Sequence, residues 1–307
     1  MIRQPVVVGV DGSPEAGAAA AAGWRLAQVA GVRCHLVHAT HDVRSALDLA
    51  GTGVPLDDLQ LAMLGRVRAE IKAALGTHVP QEAVEGLIVR VGRSAAVLAD
   101  VVTETDAGLV VLGGKHHSMV GRWLGGSTVQ HAVRRLSVPL LVTAGYLRPR
   151  PRVLVAVDLS YAALPTIEHA VAFARLLGGP LRALHVVEPV RNVPEVPIPV
   201  DAEQYETQSR ERLERFVWPA LPVPDHHKVV RRGIAVDVIV EEAAAWRADV
   251  VVVGSHGKGW VDRLLIGSAT EQLLNDLPTA VLVIPVPAPE RWETIPIRTR
   301  ATAGATA

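Results

Sequence analysis

A valine-rich run ending in an aspartate and a serine opens this 307-residue chain and returns halfway along it. Val6-Val-Val-Gly-Val-Asp11-Gly-Ser13 reappears as Val153-Leu-Val-Ala-Val-Asp158-Leu-Ser160, displaced by 147 positions (158 − 11). His38 and His185 keep that displacement. Gly92 and Gly233, Gly113 and Gly254, and Ser127 and Ser268 are instead 141 apart, so the second copy is six residues shorter (147 − 141) somewhere between His185 and Gly233. A repeat this long reads as two copies of one domain, each large enough to bury its own core.

Within each copy, short apolar runs alternate with helical patterns. In the first, strands are expected over residues 6–10, 33–39, 83–91, 109–112 and 139–143. Helices are expected from Ser13-Pro14 through residue 30, then over 59–75, 95–105 and 127–136. Ser13 supplies an N-cap and Pro14 the first helical position. The second copy repeats the order from residue 153 to 284. Its crossover at 188–200 carries four prolines and reads as extended loop, followed by a helix over 202–217. Valine-rich strands alternating with helices imply parallel βαβ units and a sheet covered on both faces. The expected architecture is thus α/β: two tandem doubly wound domains, 1–146 and 151–287, joined at 145–151. A tail of 288–307 follows, with 301–307 expected to be disordered.

Lys+Arg and Asp+Glu balance at 31 each, so the overall charge gives no support to nucleic-acid binding. The one cysteine, Cys34, cannot form an intrachain disulfide, which fits a reducing compartment. The N-terminus shows no signal-peptide pattern and no apolar run reaches membrane-span length, so the expected location is cytoplasmic, with no membrane partner.

The chemistry gathers where the strands end. Val250 to Val253 runs into Gly254-Ser-His-Gly257, and the chain becomes helical again at Gly267-Ser268. Strand, glycine loop and helix N-terminus together form a geometry suited to anions, because main-chain N–H groups and the helix dipole both favour negative charge. Gly254 keeps the strand end open, Gly257 can take a positive φ, and Gly267 allows close approach at a helix expected over 269–276, which Ser268 can cap unless it donates its hydroxyl to a phosphate oxygen. There is neither a Walker A motif nor a GxGxxG fingerprint.

The G-x2-G-x9-G-S spacing, with an aspartate after the first strand, resembles the ATP-binding branch of the universal stress protein family, and two copies resemble its tandem actinobacterial form. That resemblance covers roughly residues 4–287. It implies five-stranded parallel sheets of order 3-2-1-4-5 and ATP, carried with Mg2+, at the strand carboxyl ends. It places Asp158 and Val186 at the adenosine end, and Gly254, Gly257, Gly267 and Ser268 at the phosphates. It also implies that the last strands, 139–143 and 280–284, pair across the two copies. A homodimer of tandem chains and a regulatory protein partner are compatible with it.

The first copy keeps Asp11, Gly113, Gly126 and Ser127, but Ala39 stands where Val186 does and His116 where Gly257 does. A non-glycine residue at a positive φ is costly, so an altered loop is expected there. Lys115, Arg122 and Arg263 are loop cations that can meet phosphate or solvent. Twelve histidines show no metal-ligand spacing, and His38 and His185 are expected to be packed or hydrogen-bonded. No catalytic acid–base pair or nucleophile is recognisable. The readings left open are a nucleotide-binding regulatory protein, an ATP-using enzyme of the same fold, and a nucleotide-independent scaffold.

Overall fold

The computed structural model describes residues 3–42, 56–114, 127–189, 202–224, 227–255 and 266–286. In chain order the first half holds β1 (Val6–Gly9), α1 (Pro14–Ala30), β2 (Cys34–Thr40), α2 (Leu56–Leu75), α3 (Gln81–Glu85), β3 (Ile88–Val91), α4 (Ser94–Thr105), β4 (Leu109–Gly113), α5 (Ser127–Arg135) and β5 (Leu140–Thr143). The second holds β6 (Val153–Val157), α6 (Ala163–Leu177), β7 (Leu181–Val187), α7 (Ala202–Arg212), β8 (Lys228–Arg232), α8 (Ala235–Trp246), β9 (Val250–Gly254), α9 (Ser268–Asp276) and β10 (Ala280–Ile284).

The strands form one sheet in the order β3-β2-β1-β4-β5-β10-β9-β6-β7-β8. Each half is the expected parallel 3-2-1-4-5 sheet. The halves meet at an antiparallel seam, with Val281 opposite Val142, Leu282 opposite Leu141 and Val283 opposite Leu140. The pairing expected between the last strands is therefore present, and it fuses two five-stranded sheets into a continuous one. Consecutive valines serve the central strands because both faces are covered. Val6 and Val8 pack with α1 and α2, while Val7 packs with α4 on the other side. In the second half, Val250 and Val252 belong to one face and Val251 and Val253 to the other.

Several expected boundaries hold for stated reasons. Ser13 caps α1, its Oγ accepting the Ala16 N–H at 3.2 Å. Gly92 and Gly233 take matching φ values of 150° and 144°, a region that disfavours side chains. Two expectations need correction. Residues 83–91 are not one strand: Gln81–Glu85 is a short helix begun at Pro80, and β3 starts at Ile88, where it pairs with Val37 of β2. The helix expected over 202–217 is α-helical only to Arg212. It widens into a π turn over Leu213–Val217 and a 3-10 turn over Trp218–Ala220, which together bury Leu213, Val217 and Trp218. Most of the crossover at 188–200, and the tail, lie outside the described residues.

Candidate functional site

Strand 1 of each half is central, with strand 2 on one side and strand 4 on the other, so the chain reverses direction of winding between β1 and β4 and between β6 and β9. A cleft opens there, at the strand carboxyl ends. Asp11 and Asp158 follow the two central strands and fold back in the same way. Oδ1 of Asp11 accepts the Ser13 N–H at 3.1 Å and its hydroxyl at 2.5 Å. Oδ1 of Asp158 does the same for Ser160, at 3.0 and 2.5 Å. One strand away, His38 Nδ1 lies 2.7 Å from the Val10 carbonyl and His185 Nδ1 lies 2.8 Å from that of Val157. Each histidine thus holds the carbonyl just before the aspartate, and the expectation that both are hydrogen-bonded is met.

In the second half, Asp158, Val186, Gly254, Gly267 and Ser268 line one cavity of about 240 Å³. Gly257 and Arg263 lie outside the described residues. The two ends of that loop are tied together: the Gly267 N–H donates to the Ser255 carbonyl at 2.9 Å, and the Thr270 hydroxyl donates to the Gly254 carbonyl at 2.8 Å. Gly267, and not Ser268 as expected, is the N-cap of α9, and Ser268 is its first helical residue; Gly267 has φ −59° and ψ 139°, a conformation open to any residue. Its glycine is therefore not required by the backbone, and it adds no side chain where the N-terminus of α9 meets the cavity, a place that favours an anion.

Glu188 and Tyr205 also line this cavity and were missed by sequence reasoning. Glu188 Oε1 accepts the Ala235 N–H at 3.0 Å and so caps α8. Its place two residues beyond Val186 was the available signal. Tyr205 comes from α7, and nothing local in the sequence says which way that crossover helix lies. In the turn before α6, burial and the nearby Asp158 carboxylate push the Tyr161 phenol above its ordinary range, so it stays protonated.

The first half brings Asp11, Ala39 and Gly113 to the equivalent cavity, which is about 120 Å³. Ser127 begins α5 beside it, whereas Gly126, His116, Lys115 and Arg122 lie outside the described residues. Two differences narrow it. Helix α1 begins at Pro14, but α6 begins at Ala163, the equivalent of Ala16, so the second helix starts two residues later. Glu15 therefore lines the first cavity where the second has Ala162. The main chain of Glu15 also presses on Gly113: a Cβ there would lie 2.6 Å from its carbonyl carbon and oxygen. Gly113 is thus required by packing, whatever binds. Among the described residues no cluster of three His, Cys, Asp or Glu could hold a metal ion, and no helix is long and apolar enough to cross a membrane.

The model of the universal stress protein family matches residues 3–144 and again 149–285. The chain belongs to the universal stress protein family. A universal stress protein of Mycobacterium tuberculosis is 30% identical over 293 residues, covering 91% of this chain and 96% of the relative. One from Mycolicibacterium smegmatis is 33% identical over 185 residues, covering 58% of this chain and 62% of the relative. Among solved structures, a putative universal stress protein from Pseudomonas aeruginosa aligns with a TM-score of 0.61 at 20% identity, covering 92% of this chain and 93% of that one. At that identity it speaks for the tandem fold alone.

Proposed function

We propose that this universal stress protein binds an adenine nucleotide, ATP with Mg2+, in the cavity of its second repeat, and that occupancy acts as a regulatory signal in a stress response. The observation that carries the reading is the convergence of Asp158, Val186, Gly254, Gly267 and Ser268 on one cavity at the strand carboxyl ends, where α9 begins. Nonpolar Val186 suits the edge of a purine, the Asp158 carboxylate can accept from ribose hydroxyls, and the helix terminus suits phosphate. Mg2+ would arrive on the phosphates, which supply the oxygen ligands it prefers. The first cavity is the weaker site, because it is smaller and carries the Glu15 carboxylate at its helix start, where the second has Ala162.

A ligand that binds only the folded chain raises its stability, by about 2.7 kcal/mol at a hundred times Kd. Mg-ATP should therefore raise the melting temperature. Gly267→Leu should remove the rise while leaving the unliganded melting temperature nearly unchanged, because φ and ψ there suit leucine. No rise at millimolar Mg-ATP would refute the reading.

A further inference from the structure

The two cavities are alike at one end and differ at the other. At the shared end Asp11, Ala39 and Leu98 line the first where Asp158, Val186 and Ile239 line the second. The aspartates are held alike, each Oδ1 accepting the amide and the hydroxyl of the serine two residues on. Those two bonds use about half of what a carboxylate can accept, so Asp11 keeps capacity for hydroxyl donors. His38 fixes the carbonyl before Asp11 as His185 fixes the one before Asp158. The first cavity thus retains an apolar wall beside a hydrogen-bond acceptor.

The end that differs lies where β4 stops. Ala39 on β2 and Gly113 on β4 are two strands apart, about 10 Å. In the second cavity that end holds Gly254, Gly267 and Ser268. In the first, α1 starts two residues earlier than α6, and its first turn lies on the end of β4, with the Glu15 carbonyl 2.6 Å from where a Cβ on Gly113 would be. The Glu15 carboxylate stands there in place of Ala162. At about 120 Å³ against about 240 Å³, the first cavity has half the space of the second.

We propose that the first cavity binds a purine nucleoside without phosphates, so that the two repeats read different ligands, one neutral and one charged. The assignment rests on the reading of the second cavity as a nucleotide site, since that reading makes the shared end the nucleoside end. Removing the phosphates removes the charge that Glu15 repels and the bulk for which the first cavity has no room. What is left, a flat base and ribose hydroxyls, matches the apolar wall and the Asp11 carboxylate.

Titration calorimetry on the Gly267→Leu protein, in which the second cavity is obstructed, compares adenosine with AMP. Adenosine should bind once per chain and AMP at least about fivefold more weakly, because its phosphate meets the Glu15 carboxylate. Adding Glu15→Gln, which alters the first cavity alone, should bring the two ligands within about twofold. Raised salt should narrow the gap while the glutamate is present. The same pair of ligands titrated into the unaltered chain, with and without Glu15→Gln, repeats the comparison without relying on Gly267→Leu. No binding of adenosine at millimolar concentration would overturn the proposal. So would AMP binding as tightly as adenosine, or a gap that Glu15→Gln leaves in place. The melting test with Mg-ATP reads the second cavity separately: a rise without adenosine binding refutes the nucleoside site alone, and adenosine binding without a rise refutes the nucleotide site alone.

Discussion

Leu141 and Leu282 occupy the same position in the two repeats and are also each other's partners across the antiparallel seam. A residue that pairs with its own equivalent marks the local two-fold axis, which therefore passes between them. The flanking contacts obey the same symmetry. Gln130 donates to Asn275 at 2.9 Å, and Arg134 pairs with Glu271 at 3.6 Å; Gln130 is the equivalent of Glu271, and Arg134 of Asn275. The seam is thus self-complementary, as a symmetric dimer contact is, although it lies within one chain.

Because both leucines are almost fully buried and face one another, they should account for more of the seam's stability than the polar contacts. Leu141→Ala and Leu282→Ala should each cost about 2–5 kcal/mol in urea unfolding, and the double variant should depart from additivity by about 0.5 kcal/mol or more. Arg134→Ala should cost less than about 1 kcal/mol, as its ion pair is long and half exposed. Equal losses for the arginine and the leucines would contradict this ranking.

Gly113, the equivalent of Gly254 in the repeat, has a steric duty besides lining its cavity. A methyl at Gly113 would strike the main chain of Glu15, which cannot swing aside as a side-chain tip can. Gly113→Ala should therefore destabilise the protein by about 1–3 kcal/mol whether or not nucleotide is present. Thermal melting with and without Mg-ATP would show an equal loss in both.

Much of the fold was legible because it rests on local patterns that repeat. Paired valine runs marked central strands, Asp-x-Ser marked their carboxyl ends, and Gly92 with Gly233 marked equivalent positions of the two copies. What stayed hidden depends on how elements meet. Residues 83–91 read as one strand, and only the register of β3 on β2 shows that pairing begins at Ile88. The π turn at Leu213–Val217 and the 3-10 turn after it bury Leu213, Val217 and Trp218, a requirement of the core and not of the local sequence. The site followed the same division. Its aspartates and glycines carried a spacing, whereas Glu188 and Tyr205 reach the cavity through tertiary placement. The two-residue delay of α6, which sets the two cavities apart, could not be read from Asp-Leu-Ser against Asp-Gly-Ser.

Cys34 should be inert in the folded protein. Burial pushes its thiol from an ordinary value of 9.0 up to about 12. At pH 8 its thiolate population is then about a thousandfold lower than that of an ordinary thiol, and reaction with a disulfide reagent should slow to match until urea unfolds the chain. The sign for stability follows from the raised value. The unfolded chain loses this proton above pH 9.0 while the folded chain keeps it to about 12, so stability falls as pH rises through that window. Cys34→Ala should flatten this alkaline decline in the urea midpoint. A rapid reaction of the native protein at pH 8 would show the thiol to be exposed.

At equivalent points of the helix start the first cavity carries the Glu15 carboxylate and the second the methyl of Ala162. A carboxylate near phosphate oxygens in a partly solvated cleft is repelled by about 1–4 kcal/mol per charge pair. Ala162→Glu should therefore weaken Mg-ATP binding at the second repeat at least about fivefold, and more strongly at low salt. Glu15→Ala should strengthen binding at the first. Titration calorimetry reads both, the first as a loss of affinity and the second as a stoichiometry rising toward two. Ala162→Gln separates charge from size: it should keep most of the affinity if repulsion is the cause and lose it if the longer side chain merely fills the cavity. A glutamine as damaging as the glutamate would transfer the explanation to volume, and the difference between about 240 and about 120 Å³ would then be what sets the repeats apart.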